Sequence, residues 1–237
     1  MLKLLLLGYG RMGKMIETVA VERGHSIGVA VGREDTADEG AWRACDVAID
    51  FSAPASAESL CRSALGFGIP VVSGTTGWPA APLSAEVRRG DYTAGFLHGT
   101  NMSIGVNAVF AANELLAKLL AKSATVEASI DETHHVHKLD APSGTAITLA
   151  EATVAGLPSY TSYALDANRP NELSITAHRE GEVYGIHEVR YRTPVDVVTL
   201  RHEATSRRGF AEGAVLAAEY LAGRTGVHTM RDVLFSE

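Results

Sequence analysis

Cysteine is nearly absent from these 237 residues: Cys45 and Cys61 are the whole complement, with no CxxC pair and no framework spacing. That excludes a disulfide-stapled scaffold, and both thiols read as reduced side chains in or near a core. Long apolar runs are missing too. The opening stretch, residues 2–7, is too short to cross a bilayer and lacks the start and cleavage pattern of a secretory leader. The expectation is a reducing, cytoplasmic setting with no membrane partner. Basic charge is scarce as well. The 21 Lys and Arg against 28 Asp and Glu leave a formal net charge of -7, which argues against a general nucleic-acid binder. An anionic ligand would therefore need a local positive pocket on an acidic chain. There is no internal repeat, low-complexity tract or long charge run.

What is present is an ordinary globular composition, 46% hydrophobic and 21% charged, in a chain long enough to bury a substantial core. In the first hundred residues, strand-like runs (2–7, 26–31, 47–51, 69–72, 92–97) alternate with helix-like ones (12–23, 56–65, 83–89). This alternation predicts an α/β unit, a Rossmann-type doubly wound parallel sheet. The second half reads differently. A long helix at 104–122 leads to a strand at 125–132, a helix at 143–155 and an irregular polar stretch at 158–171. Strand-like segments follow at 173–178, 186–192 and 195–202, which predicts a C-terminal α+β domain with an open mixed sheet. A final helix at 210–221, rich in small residues, is expected to pack back on the first domain. Residues 1–101, completed by 208–237, are then expected to form one domain, and residues 102–207 a second.

Gly8-Tyr9-Gly10-Arg11-Met12-Gly13 has the form G-x-G-x-x-G and lies between a buried strand and a helix, the context a dinucleotide fingerprint requires. The first glycine permits the tight turn, the second admits a pyrophosphate, and the third lets helix and strand pack closely. Helix-start N–H groups then face the phosphates. At the end of the second strand, where an acid would bind the ribose hydroxyls, the sequence runs Val31-Gly32-Arg33-Glu34-Asp35. Arg33 could pair with a 2′-phosphate, or be a solvated loop residue. NADPH is the favoured cofactor, with NADH still open.

The most unusual stretch is residues 131–146, where His134, His135, His137 and Lys138 crowd a strand-to-helix connection. Pro142 and Ser143 mark a helix start, with Ser143 as N-cap. The N–H groups of Ser143, Gly144 and Thr145 would form an anion pocket beside Lys138, and histidines transfer protons near neutral pH. Three readings compete: a zinc site, unremarkable surface histidines, or an acid/base site for an anionic substrate. Zinc is disfavoured, because neither HExxH nor cysteine ligands accompany the histidines and neighbours on a strand point to opposite faces. No metal is expected.

Residues 132–146, E-T-H-H-V-H-K-L-D-A-P-S-G-T-A, closely resemble the E-x-H-H-x-x-K-x-D-A-P-S-G-T-A signature of the 4-hydroxy-tetrahydrodipicolinate reductases (dihydrodipicolinate reductases) of lysine synthesis. Gly8–Gly13, Asp50-Phe51-Ser52, Gly74-Thr75-Thr76-Gly77, the run 101–107, and segments at 202–207, 210–214 and 230–234 fit the same family, so the resemblance spans nearly the whole chain. It implies NAD(P)H-dependent reduction of a cyclic imine dicarboxylate, with His134 as proton donor/acceptor and Lys138 as a second proton donor that also holds a carboxylate. His135, Ser143, Gly144 and Thr145 would meet the substrate. Gly8, Tyr9, Gly10, Arg11, Met12, Arg33, Gly74, Thr75, Thr76, Gly99, Thr100, Asn101 and Met102 would meet the cofactor. The resemblance also implies a homotetramer assembled through residues 102–207. The chain departs from the family at Gly32, where an acid is usual, and at Gly99, Thr100 and Met102, where Ala-Ala and Phe are common. A same-fold reductase of another small carboxylate, or an inactive dinucleotide-binding relative, are the alternatives.

Overall fold

Leu4, Leu5, Leu6 and Leu7 are all essentially inaccessible to solvent, as expected of a strand covered on both faces. In the computed structural model, which describes residues 1–32, 39–123 and 125–236, they form β1 (Lys3–Leu7). The chain divides into two compact units, Met1–Ile104 with Arg207–Glu237, and Gly105–Ser206. Arg33 lies outside the described residues.

The first unit runs β1, α1 (Arg11–Glu22), β2 (Ser26–Val31), α2 (Glu39–Trp42), β3 (Val47–Asp50), α3 (Pro54–Gly66), β4 (Val71–Ser73), α4 (Ala80–Arg89) and β5 (Gly95–His98). The chain returns to it through α7 (Arg208–Leu221), β11 (Gly226–His228) and α8 (Met230–Phe235). Its six strands are parallel, in the order β11-β5-β4-β3-β1-β2. Alternation along β1 builds two cores. Leu4 and Leu6 pack with Ile16, Val19, Ala214 and Ala218 from α1 and α7. Leu5 and Leu7 pack with Cys61, Leu65, Leu83 and Val87 from α3 and α4. The return helix thus fills one face of the first sheet, as its small residues suggested. The elements α2, β11 and α8 were not anticipated; each is short, and β11 is only partly buried, so it carries no apolar period.

The second unit contains α5 (Ile104–Leu120), β6 (Glu127–His134), α6 (Gly144–Gly156), β7 (Ser162–Leu165), β8 (Glu172–Arg179), β9 (Ile186–Arg192) and β10 (Val197–Glu203). The sheet order is β10-β9-β6-β8-β7. Strands β6, β7 and β8 are parallel, and β9 is antiparallel to β6 and β10, which is the mixed sheet expected. One correction applies within it. Residues 158–171, read as irregular, contain β7, whose Ser162 to Leu165 pair with Glu172 to Ile175. As a four-residue edge strand with exposed ends, it has too few alternations to be recognised in sequence.

Helices α5 and α6 cover this sheet, with Ala117, Leu149 and Ala150 packed on Ile130, Ile175 and Val189. Gly156 lets the helices approach, since a Cβ there would lie 2.5 Å from that of Ala117. A buried polar network ties both to β9. The Tyr191 hydroxyl donates to Asn113 Oδ1 at 2.7 Å, and Asn113 Nδ2 donates to the Leu149 carbonyl at 3.1 Å. Tyr191→Phe leaves that buried oxygen without its donor, so urea denaturation should show a loss of about 1–3 kcal/mol. An unchanged midpoint would show the network to be energetically idle. Among the described residues, no helix is long and apolar enough to cross a membrane.

Candidate active site

The glycine loop folds as its spacing demands. Gly8 has φ +97°, and a Cβ there would lie 2.3 Å from the Phe51 carbonyl oxygen; one on Gly13 would lie 2.3 Å from that of Gly8. Gly10 is different. Nothing lies within 4 Å of its absent Cβ, it precedes α1, and no side chain caps that helix. The loop opens on a cavity of about 540 Å³ at the carboxyl ends of β1, β2 and β3, lined by Gly8, Tyr9, Gly10, Gly32 and Ser52 among others. That size suits a nucleotide-scale ligand, and a helix start with uncapped N–H groups suits its phosphates. The residues present therefore fit a dinucleotide.

Other residues expected at the cofactor divide into two kinds. Arg11, Thr76 and Thr100 are exposed and Met12 half-buried, whereas Met102 is a core residue. The Met102 methyl closes on Gly99, where a Cβ would come within 3.2 Å. Asn101 accepts the Ser103 N–H at 2.8 Å. Gly74 cannot carry a side chain, because a Cβ would lie 2.3 Å from the Phe51 ring. Thr75 is buried with an unpartnered hydroxyl, and its carbonyl accepts Trp78 Nε1–H at 2.9 Å.

In the second unit, period-two geometry puts Glu132 and His134 of β6 on one face of the sheet. Glu132 is fully buried and His134 is 8% exposed. Register brings in a third member that sequence could not foresee: His187 of β9 stands opposite Glu132. The Glu132 carboxylate accepts the Ser143 N–H at 3.1 and 3.2 Å. His134 Nδ1 lies 3.6 Å from Glu132 Oε2, and His187 Nε2 lies 3.8 Å from it. Ser143 caps α6 through Ala146 N–H and also meets His187 Nε2, both at 3.2 Å. The His134 and His187 rings stand edge to face with centroids 5.0 Å apart.

A second anion–cation pair lies in the following loop. Lys138 Nζ donates to both Asp140 oxygens at 2.8 Å. Arg179, the last residue of β8, fastens this loop by donating to the Lys138 and Asp140 carbonyls at 3.1 and 2.7 Å. Its guanidinium lies 3.6 Å from Glu132. Lys138 and Arg179 are the local cations an anionic ligand would need on an acidic chain, but internal carboxylates occupy both the Ser143 N–H and Lys138. Their standing differs. Glu132 is sealed in, whereas the Asp140 side chain is 63% exposed and so replaceable. His135 is half-buried with an unpartnered Nδ1. His137 pairs with Glu182 at the surface, 3.0 Å away. Of the three neighbouring histidines, His134 alone faces the buried cluster.

Burial pushes the His134 pKa down to about 4, helped by Lys138 and Arg179. Burial likewise pushes His187 down to about 3, with His134, His202 and Lys138 adding to it. Both rings are neutral at pH 7. In the unfolded chain they would protonate near 6.5, so between pH 6.5 and about 4 the unfolded state binds more protons. Stability should therefore fall as pH drops through that window, approaching roughly 1.4 kcal/mol per pH unit for each histidine. Denaturant midpoints taken from pH 7.5 to 4.5 test this, and His187→Gln should flatten the slope. A level wild-type profile above pH 5 would contradict it.

Glu132, His134 and His187 present ligand-type atoms within 4.8 Å of one another, and could hold a divalent ion. Arg179 competes for the same carboxylate. This is not the His-His-x-His set considered in sequence, because β-sheet register rather than chain proximity assembles it.

Known proteins resemble the chain from end to end. A family model described as dihydrodipicolinate reductase, N-terminus, matches residues 2–102, and its C-terminus counterpart matches residues 105–234. The 4-hydroxy-tetrahydrodipicolinate reductase of Christiangramia forsetii is 41% identical over 229 residues, covering 97% of this chain and 96% of the relative. That of Alkaliphilus metalliredigens is 33% identical over 240 residues, covering 98% and 99%. A dipicolinate-bound dihydrodipicolinate reductase from Paenisporosarcina sp. TG-14 shares the fold with a TM-score of 0.74 at 19% identity, covering 97% of this chain and 98% of that one. With both halves of the family matched and relatives aligned over almost every residue, the chain belongs to the dihydrodipicolinate reductase family.

Proposed function

We propose that this protein reduces 4-hydroxy-tetrahydrodipicolinate to tetrahydrodipicolinate with NAD(P)H, in the diaminopimelate route to lysine. The observation that carries the reading within the site is the buried, neutral His134 beside Lys138, whose present partner Asp140 is solvent-exposed. Loss of the 4-hydroxyl as water leaves a conjugated imine, and its reduction consumes one hydride and one proton. When bound, the nicotinamide supplies the hydride. The protein's part is to hold two carboxylates and to place the proton.

Lys138 takes one substrate carboxylate in exchange for Asp140, and its ammonium is the second donor, beside His134, within reach of the one proton transfer that the reduction requires. Gly144 and Thr145, in the first turn of α6, and His135 meet the substrate, with the helix dipole favouring its negative charge. Ser143 shapes this wall through Glu132 and His187. A bound dianion also offsets the positive charges that hold the His134 pKa down. Docking should therefore draw a proton onto His134, making it the acid that completes the reduction.

For the cofactor, Gly8–Met12 take the pyrophosphate, while residues 74–76 and 99–102 form the nicotinamide end. Arg33 favours NADPH by pairing with the 2′-phosphate. Arg33→Ala should raise KM for NADPH about tenfold and leave NADH use unchanged; strict NADH use by the wild type removes this assignment. The protein is further expected to be a homotetramer, which sedimentation would test. The decisive assay feeds the purified enzyme with the aldol product of pyruvate and aspartate semialdehyde and follows NAD(P)H absorbance. No substrate-dependent oxidation with either nucleotide would end the proposal.

A further inference from the structure

We infer that Glu132 is a positioning residue: its buried carboxylate holds the proton of neutral His134 on Nδ1, leaving Nε2 as the atom that exchanges protons with substrate. This rests on the reading of His134 as the acid. Glu132 and His134 alternate onto one face of β6, with Oε2 and Nδ1 3.6 Å apart. Nδ1 is buried and has no hydrogen-bond partner. Were the proton on Nε2, the Nδ1 lone pair would face a carboxylate oxygen across a gap closed to water. Two acceptors facing each other in a low dielectric repel. With the proton on Nδ1, the same pair attracts, and a small ring rotation closes it into a hydrogen bond.

The carboxylate is itself held for this task. Ser143 N–H grips both oxygens from the start of α6, and the Arg179 guanidinium stands 3.6 Å from Oε1. Oε2 is thereby left to face His134 and His187. On the opposite edge of the His134 ring, a side chain is missing. Gly185 has φ +147°, and a Cβ there would lie 3.2 Å from Nε2. The ring is thus backed by a carboxylate at Nδ1 and has a glycine beside Nε2. Lys138, Arg179, Asp140, His135 and His187 complete its charged and titratable surroundings. A proton gained and lost at Nε2 leaves Nδ1–H in place throughout, so the ring need not change tautomer between turnovers. Oriented carboxylate–histidine pairs work on this principle.

The test is long-range ¹H–¹⁵N correlation on protein labelled with ¹⁵N-histidine at pH 7, with His134 assigned by loss of its signals in His134→Gln. The expected result is Nδ1 protonated and Nε2 bare, the reverse of free histidine's preference in water. A Nε2–H tautomer in the wild type overturns the inference without need of any variant that must fold. Glu132→Gln should lower kcat about 10- to 100-fold while KM for the dicarboxylate changes less than about threefold. Retention of both kcat and tautomer in that variant would also overturn it. If Nδ1–H is observed but His134→Gln is fully active, the tautomer assignment stands and the acid role of His134 fails instead.

Discussion

Lys138→Ala should lower kcat/KM for the dicarboxylate by about 10³-fold, with KM raised and kcat reduced together. The loss exceeds that of an ordinary surface ion pair because Lys138 is only 21% exposed and its removal leaves Asp140 facing the incoming carboxylate. Repulsion then replaces attraction at the same spot. A second effect has the opposite sign. Lys138 is the largest charge holding the His134 pKa down, so the variant's His134 should titrate above about 4 even as activity falls. An upward titration shift with lost activity separates removal of a charge from general damage. Asp140→Asn gives the converse test: with Lys138 released, KM for the dicarboxylate should fall. Unchanged kinetics in Lys138→Ala would remove that residue from the site.

The other large effect divides two glycines of one loop. Gly8→Ala forces a Cβ to within 2.3 Å of a backbone carbonyl at a positive φ. The expected loss is on the order of 3–5 kcal/mol, enough to compromise the first unit. Gly10 has φ -85°, open to any residue, and empty space around its Cβ position. Gly10→Val should therefore keep its melting temperature within a few degrees yet bind NAD(P)H about 100-fold more weakly, some 2.7 kcal/mol. Calorimetry and fluorescence titration read the two quantities separately. Equal loss of stability in both variants, or wild-type nucleotide affinity in Gly10→Val, would refute the division of labour. The contrast matters because both residues satisfy the same motif letter.

The parallel sheet, the helix start at Ser143 and the residue types of the site were legible because each depends on local spacing. Buried leucines in succession, the G-x-G-x-x-G turn and a capping serine declare themselves within a few positions. Short edge elements did not. Neither β7 nor β11 has length enough to set a period, and both exist because a neighbouring strand offers its hydrogen bonds.

The site was legible only in part. Glu132 was visible as a signature letter without a role, because the expected strand stopped at residue 132, whereas β6 runs on to His134 and so aligns the two side chains. Arg179 and His187 carried no signal. The sequence by itself determined which chemistry the chain can offer: a glycine-rich turn before a helix, an imidazole, an ammonium and a second helix start. The tertiary structure decided how those groups are set. Strand register placed His187 opposite Glu132, and the end of β8 placed Arg179 where it fastens the Lys138 loop. Burial then held His134 neutral. Solvent exclusion and cross-strand register join residues far apart in the chain, and no local pattern encodes either.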